Sequence, residues 1–174
     1  MLIEDDVRLK GSKQEMSELV RNAILSADRV QRFKLTRNWD LSLPMITWVL
    51  HNPSKADESA DDPTVRKVIG FSRRWGYGGA SIYNGIAARA TNPSELKDIP
   101  WNSAENQRHL EGIHHEDRVM CAWGNTDWPT TFSALISQLL SQKNYLWCLG
   151  RTLSGNPKHP VRLGYNTQWQ KFYE

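Results

Sequence analysis

The sequence predicts an α/β protein, a three-layer α/β/α sandwich whose central, mostly parallel sheet has about four strands. Apolar runs typical of buried strands alternate with helical patterns from Met45 to Gly150. The 174 residues suffice for one domain with a substantial core, and 39% of them are hydrophobic. Since no internal repeat or low-complexity linker interrupts the chain, we expect a single domain over residues 1–174.

The first expected elements precede this alternation. Ser12-Lys13-Gln14-Glu15 has the spacing of a capping box. The apolar residues that follow share one helical face: Met16, Leu19, Val20, Ala23, Ile24 and Ala27. We therefore expect a helix over residues 12–27, packed on the core. A short strand at the edge of the sheet is expected over residues 32–36.

The alternating elements then follow in order. Strands are expected over residues 45–50, 80–86, 118–123 and 145–150, and helices over residues 103–114 and 131–142. The helix between the first two of these strands has the clearest start. Asp62 is its expected N-cap, Pro63 its first residue, and Gly76 lies near its end.

Composition narrows the function classes. The net charge of +3 permits nucleic-acid binding without implying it. The acidic N-terminus lacks the apolar core of a signal peptide, and no apolar run approaches the ~20 residues of a membrane span, which predicts a cytoplasmic protein without a membrane partner. Cys121 and Cys148 lie in apolar strand-like runs, which predicts buried free thiols. The spacing of His109, His114 and His115 does not match a helical metal pair, and no metal site is expected.

Polar residues collect where the expected strands end. These residues are His51-Asn52-Pro53, Asn84, Trp123-Gly124-Asn125 and Lys158-His159-Pro160. In a parallel sheet the carboxyl ends of the strands lie at one edge, where ligands usually bind. The four groups are therefore expected to converge on one site.

A family resemblance covers about residues 26–163. The motifs are HNPSKAD, DDPTVRKVIGFSRRWGYGG, YNGIAARATNP, ENQRHL, CAWGN and CLGRTLSGNPKHP. They resemble a bacterial and phage family, domain of unknown function 1643. The chain departs from that pattern at Gln107, where Asp is usual, and at Val161-Arg162, which replace a Leu-Tyr pair. This family by itself implies no activity.

A more distant resemblance does imply an activity. The order Asn52-Pro53, Asn84, Trp123-Gly124 and His159-Pro160 is similar to that of the motifs in the uracil-DNA glycosylase superfamily. The resemblance implies a uracil-DNA glycosylase-like fold. It also implies hydrolysis of the N-glycosidic bond of a flipped, possibly modified base in DNA, without a metal or cofactor.

By this similarity, Asn52 would position the attacking water and His159 would donate a hydrogen bond to the departing base. Asn84 would pair with the edge of the base. The other base-binding candidates are Ser54 and the possible stacking residues Trp75, Tyr77 and Trp123. Among the loop carboxylates, Asp57 and Asp61 are the candidates for a true general base, whereas Asp62 is expected to cap a helix.

The expected partner is duplex or single-stranded DNA. The basic residues expected to contact it are Arg66, Arg73, Arg89, Lys158 and Arg162. Four nearby carboxylates, at positions 57, 58, 61 and 62, would repel phosphate and leave two alternatives open. One is a non-catalytic module that binds nucleotides or nucleic acid, and the other is an enzyme acting on free nucleosides or nucleotides. The oligomeric state is not predicted.

Overall fold

A computed structural model of the chain describes residues 18–90, 92, 96, 103–114, 117–126 and 129–173. Its strands are β1 (Val20–Leu25), β2 (Arg32–Asn38), β3 (Met45–Leu50), β4 (Gly79–Asn84), β5 (Arg118–Cys121), β6 (Tyr145–Cys148) and β7 (Gln170–Lys171). Its helices are α1 (Pro63–Arg74), α2 (Ala104–Glu111), α3 (Pro129–Ser141) and a short 3-10 helix (Pro160–Arg162). The α/β class is therefore confirmed.

The seven strands form one sheet in the order β1-β2-β4-β3-β5-β6-β7, in place of the expected four or so. Strands β4, β3, β5 and β6 pair in parallel. Strands β1 and β2 extend this group antiparallel on one side, and β7 does so on the other. Because the chain runs from β3 to β4 on one side and to β5 on the other, the strand order reverses between β3 and β5. Such a switch point leaves a crevice at the carboxyl edge of the sheet.

Helices cover both faces of the sheet. Because successive side chains of a strand point to opposite faces, alternate residues of β3 join the core on one side of the sheet and the core on the other. Trp48 and Leu50 of β3 belong to the core cluster that contains Val68 of α1. Val49, between them, belongs to the cluster that contains Leu110 of α2 and Leu135 of α3. The parallel strands are consequently buried on both sides, which explains their nearly continuous apolar sequence.

The expectation for the N-terminal region was wrong where the structure describes it. Residues 20–25 form strand β1 instead of continuing a helix over 12–27, whose first residues lie outside the described ranges. Leu19 and Ala23 still pack against the α1-side core, as the helical pattern required. This segment forms a strand because its backbone pairs with the edge of β2, whose N–H and C=O groups would otherwise lack partners in the sheet. β2 is therefore an internal strand and not an edge strand.

Helix α1 is formed as its sequence predicts. Asp62 Oδ1 accepts the Val65 backbone N–H at 2.8 Å, and Pro63 is the first helical residue. The helix ends at Arg74, and Gly76 has a φ of +80° just beyond it. This helix therefore starts at the carboxyl edge of the parallel strands and ends at the opposite edge.

The expectations from composition concerned the two cysteines and the lack of a membrane span. Cys121 and Cys148 are free and buried, as predicted, and burial raises the pKa of both thiols. Among the described residues, no helix has the length and apolar character needed to cross a membrane.

Candidate active site at the carboxyl edge of the sheet

The candidate site lies where strands β3, β4, β5 and β6 end. Asn84 is the last residue of β4, and His51 directly follows β3. Gly124 follows β5, and His159 lies after β6 at the start of the 3-10 helix. The parallel pairing brings these ends to one edge, with the switch point between His51 and Gly124.

The His51–Asn52 pair closes the loop after β3. Asn52 Nδ2 donates to the carbonyl oxygens of Pro53 and Ala90, each at 3.0 Å, which sets the orientation of the amide. Asn52 Oδ1 lies 3.0 Å from His51 Nδ1, so this ring nitrogen carries the proton. His51 Nε2 lies 3.2 Å from Thr126 Oγ1, across the switch point. The loop therefore engages both amide atoms of Asn52.

His159 packs against the end of β5. A Cβ built on Gly124 would lie 3.2 Å from the Cβ of His159. His159 Nδ1 accepts the Val161 backbone N–H at 3.4 Å, so the proton of the neutral ring is on Nε2. Burial lowers the pKa of His159 below 6.5; Asp62 opposes this shift and His51 adds to it. At neutral pH His159 is therefore an uncharged imidazole with an N–H donor.

Asp62 is the carboxylate that acts electrostatically on His159. Its Oδ1 caps α1, so the predicted capping role is confirmed. Its charge also raises the pKa of two groups outside the helix, His159 and Arg32. Asp62 therefore caps helix α1 and also lies within electrostatic reach of two basic groups at the sheet edge, His159 and Arg32.

Asn84 and Arg32 form a buried polar pair, 0% and 1% exposed. Arg32 Nη2 donates to Asn84 Oδ1 at 3.1 Å, and Arg32 Nη1 donates to the carbonyl oxygen of Ala56 at 2.8 Å. Burial lowers the pKa of Arg32 to about 10, which leaves it charged at neutral pH. Asn84 Nδ2 and Arg32 Nε have no hydrogen-bond partner among the described residues. Asn84 therefore offers a donor, while Arg32 occupies its acceptor.

Asp57 is used by its own loop. Its Oδ1 accepts the backbone N–H and the hydroxyl of Ser59 at 2.9 and 2.7 Å, and the backbone N–H of Ala60 at 3.1 Å. These hydrogen bonds, with the Ser59 hydroxyl contributing most, lower the pKa of Asp57 to about 2. Such a carboxylate is a weak proton acceptor, so the geometry favours a turn-closing role for Asp57 over that of a general base.

Arginines neutralise the other carboxylates of this loop. Glu58 pairs with Arg29 at 2.8 Å. Asp61 pairs with Arg37 Nε at 2.7 Å, and Arg37 is 0% exposed. Arg37 Nη2 also donates to the carbonyl oxygen of Asp57 at 2.6 Å. The loop therefore carries much less net negative charge than its sequence suggests.

Two of the aromatic candidates lie far from this edge. The indole of Trp75 is stacked between Trp48 and Trp169, with ring centroids 5.6 and 4.9 Å away. Both of its faces are thus covered by protein. Tyr77 precedes β4, and its hydroxyl accepts from Arg118 at the start of β5, at 3.1 Å. The structure therefore does not bring Trp75 or Tyr77 to the site.

Trp123 does lie near the site, but it is 3% exposed. It stacks on Phe132 at 4.9 Å and meets Phe172 edge-on at 5.5 Å. Phe132 also stacks on His51 at 5.4 Å. Trp123 consequently supports the site from the interior, through Phe132 and His51.

Three of the five predicted DNA contacts are exposed at the carboxyl edge. Arg66 lies in the first turn of α1, and Lys158 and Arg162 flank His159 along the chain. Arg73 lies at the other end of α1, with its guanidinium 5.1 Å from the ring centroid of Trp39.

Arg89 holds the backbone of the site loop. Its guanidinium donates to the carbonyl oxygens of Ser54, Arg29 and Lys55 at 3.2–3.3 Å. Ser54 is half-buried and contributes its carbonyl oxygen to this contact. Both residues therefore take part in shaping the loop.

Sequence reasoning missed three residues that build this edge, Arg32, Thr126 and Phe132, and it gave His51 no role of its own. His51 stood in the HNPS motif and carried a usable signal. Arg32 and Phe132 did not, because a single arginine or phenylalanine in a strand or helix does not reveal which strand end it will reach. Within the described ranges, no group of three or more His, Cys, Asp or Glu side chains is arranged to hold a metal ion.

Gly124→Ala is expected to disturb His159 as well as the backbone. Gly124 has a φ of +75°, where any other residue costs about 1–2 kcal/mol, and its new methyl group would press on His159 Cβ. Gly155→Ala is the matched control, because its φ is +81° with no atom within 4 Å. Chemical denaturation should show a loss for both variants, and the imidazole NMR signals of His159 should shift only in Gly124→Ala. Equal His159 signals in the two variants would contradict the contact.

Acidification is expected to destabilise the protein partly through His159. The unfolded chain binds a proton at the ordinary pKa of 6.5, and the folded chain binds it only at lower pH. The free energy of unfolding should therefore fall as the pH drops below 6.5 and level off below the lowered pKa. Urea denaturation at several pH values should show a smaller fall for His159→Gln, with His109→Gln as the control. The same fall in His159→Gln and wild type would rule out this role.

The comparisons with known proteins agree with the motif-based family resemblance. A family model described as protein of unknown function (DUF1643) matches residues 32–161, from β2 into the 3-10 helix. This range contains Asn52, Asp62, Asn84 and His159. No curated protein and no solved structure matches the chain. Since the match covers most of the 174 residues, the chain belongs to the DUF1643 family of proteins of unknown function.

Proposed function

We propose that this protein is a DNA glycosylase-like enzyme that hydrolyses the N-glycosidic bond of a base turned out of DNA. The observation that carries the proposal is the state of His159 at the carboxyl edge of the sheet. It is a neutral imidazole with its proton on Nε2, within electrostatic reach of the carboxylate of Asp62. Cleavage of this bond needs a hydrogen-bond donor for the departing base and a negative charge near the sugar.

In the proposed reaction the C1′–N bond breaks and its electron pair leaves with the base. His159 Nε2–H donates to a carbonyl oxygen of the base, where the negative charge develops. Water adds to the sugar at C1′ and releases a proton. Asp62 stabilises the positive charge on the sugar and accepts that proton. We assign the role of proton acceptor to Asp62 and not to Asp57. The hydrogen bonds within its turn lower the pKa of Asp57 and make it a weak base.

Asn52 and Asn84 have supporting roles in this proposal. Asn52 holds the loop through three hydrogen bonds. Its main role is therefore to fix the shape of the loop, and through it the position of the attacking water. Asn84 Nδ2 is a buried donor without a partner among the described residues, which suits an acceptor on the edge of a base.

The uracil-DNA glycosylase-like fold remains part of the proposal. Four parallel strands lie at the centre of the sheet, with helices on both faces. The Asn-Pro, Asn, Trp-Gly and His-Pro motifs follow these strands in the same order as in that superfamily. Both observations support the relationship.

DNA is the preferred substrate in this proposal. The main objection to DNA was repulsion of its phosphates by the loop carboxylates, and this repulsion is weaker in the structure than the sequence suggested. Arg29 and Arg37 neutralise two of the four carboxylates that would repel phosphate, Glu58 and Asp61. Arg66, Lys158 and Arg162 are exposed and available for phosphate contacts. Arg73 and Arg89 are left out of this set, since one lies at the opposite edge and the other holds the loop.

The test is a screen of DNA substrates that carry different normal and modified bases. After incubation with the protein, alkali cleaves the strand wherever a base has been released. We expect an abasic product from at least one substrate, and binding that weakens steeply with salt. Hydrolysis of free nucleosides with no abasic DNA would instead support the small-molecule enzyme. Salt-dependent DNA binding without any product would support the non-catalytic module.

A further inference from the structure

A cavity lies between α2 and α3, on the sheet face opposite α1. Its volume is about 540 Å³, which is within the range of small-molecule sites. Among the described residues that line it, no side chain is ionisable at neutral pH. The lining residues are Gly85, Asn106, Gln107, Leu110, Thr131, Ala134, Leu135, Ser137, Gln138 and Ser141. His51, Asp62 and His159 do not line it, so it is separate from the proposed catalytic group.

Asn106 supplies a buried acceptor in this cavity wall. It is 2% exposed, and its Nδ2 donates to the carbonyl oxygens of Asn84 and Gly85 at 3.1 and 3.4 Å. These two carbonyls determine which end of the amide is nitrogen, because the reverse orientation would place oxygen against oxygen. Asn106 Oδ1 has no partner among the described residues. A buried acceptor left in this state is unfavourable unless a ligand or water satisfies it.

Gln138 supplies a buried donor in the same cavity. Its Oε1 accepts from Gln107 Nε2 at 2.5 Å, across the gap between α3 and α2. With the two amides in this arrangement, Gln138 Nε2 has no partner in the described part of the chain. The walls of the cavity therefore hold one buried acceptor and one buried donor, both on amide groups.

We propose that this cavity binds a planar, uncharged ring lactam, in which a ring N–H stands next to a carbonyl group, as in oxo-purine and oxo-pyrimidine bases. The ring N–H donates to Asn106 Oδ1, and the carbonyl oxygen accepts from Gln138 Nε2. Leu110 and Leu135 provide apolar surface for the ring. The absence of charge in the lining disfavours phosphate and other ions, which would lose their hydration without compensation.

The probe is 2-pyridone, the simplest ring lactam, and N-methyl-2-pyridone is its matched control without the N–H. Titration of the ¹⁵N-labelled full chain should shift the side-chain amide signals of Asn106 and Gln138 in a saturable way. The N-methyl compound should bind at least about tenfold more weakly, because it leaves the acceptor unpaired. Ala134→Trp fills the cavity from an exposed position of α3 and should abolish binding. Ser133→Trp, one residue earlier and outside the lining, should keep it.

Three results would overturn the proposal: no saturable shift with 2-pyridone, equal binding of the N-methyl compound, or unchanged binding in Ala134→Trp. His159→Ala separates this site from the proposed catalytic site. It should leave 2-pyridone binding unchanged, whether or not the protein releases bases from DNA. Loss of 2-pyridone binding in His159→Ala would instead move the ligand to the catalytic edge and overturn the second site.

Discussion

His159→Ala is expected to slow base release by about 10²–10³-fold, the effect typical of losing one oriented hydrogen-bond donor at a developing oxyanion. The Nε2–H group is oriented because Nδ1 is held by the Val161 backbone N–H. The measurement is the single-turnover rate of abasic-site formation on the substrate that the base screen identifies. His109→Ala is the matched control, because this histidine stacks on Phe33 and lies on α2.

Asp62→Asn is the companion variant, and it separates capping from catalysis. Asparagine caps a helix about as well as aspartate, so the free energy of unfolding should change little. The negative charge beside His159 is lost, so the rate of base release should fall. Full activity in both His159→Ala and Asp62→Asn, with the fold intact, would refute the proposed mechanism. A loss of stability in Asp62→Asn equal to that of an Asp62→Ala control would show that the cap had not been preserved.

Arg37→Met is expected to lower the free energy of unfolding by about 3–5 kcal/mol, because it removes one partner of a buried ion pair. Arg37 is 0% exposed, and its guanidinium contacts the carboxylate of Asp61. It also donates to the carbonyl oxygens of Asp57 and Ala60 at 2.6 and 3.2 Å. Methionine keeps much of the volume and none of these contacts. Urea denaturation of the variant and the wild type measures the difference.

Arg29→Met is the matched control on the same loop. The pair between Arg29 and Glu58 has side chains about half exposed, at 51% and 46%, so its loss should cost only about 0–1 kcal/mol. Similar losses in the two variants would show that Arg37 does not anchor the loop. Arg37→Met should also weaken any activity that depends on Asp62, because the neighbouring Asp61 loses its 2.7 Å ion pair and keeps only the longer contact with Arg21 at 3.7 Å.

The central part of the fold was predictable, because local and tertiary preferences agree there. The strand over residues 45–50 is a short apolar run that is buried on both faces. The strand over residues 145–148 is a short apolar run in which Leu146 and Cys148 are buried. Helix α1 has an Asp cap and a proline at its first position, both acting within one turn. The edges were not predictable. β1 forms because its backbone pairs with the otherwise open edge of β2. β7 has only two residues, and these pair with β6.

The candidate site divides in the same way. The position of Asn84 and His159 at the carboxyl edge was predictable, because they lie at or after the ends of strands whose direction the sequence implies. Trp75 was misplaced as a base-binding candidate, because nothing in its local sequence shows that Trp48 and Trp169 cover both of its faces. Arg32 was missed because its partners, Asn84 and Ala56, are distant in sequence.

By itself, the sequence determined the alternation of strands and helices, the start of α1 and the positions of the polar residues at the strand ends. Those features depend on periodicity, capping and chain direction, which act over a few residues. Only the tertiary structure decided which of these residues can do chemistry. Asp57 closes a turn and Arg89 holds a loop, whereas Asp62 acts on His159 from a distant part of the chain. Burial, hydrogen-bond partners and charge at close range depend on long-range contacts, and these are set by packing.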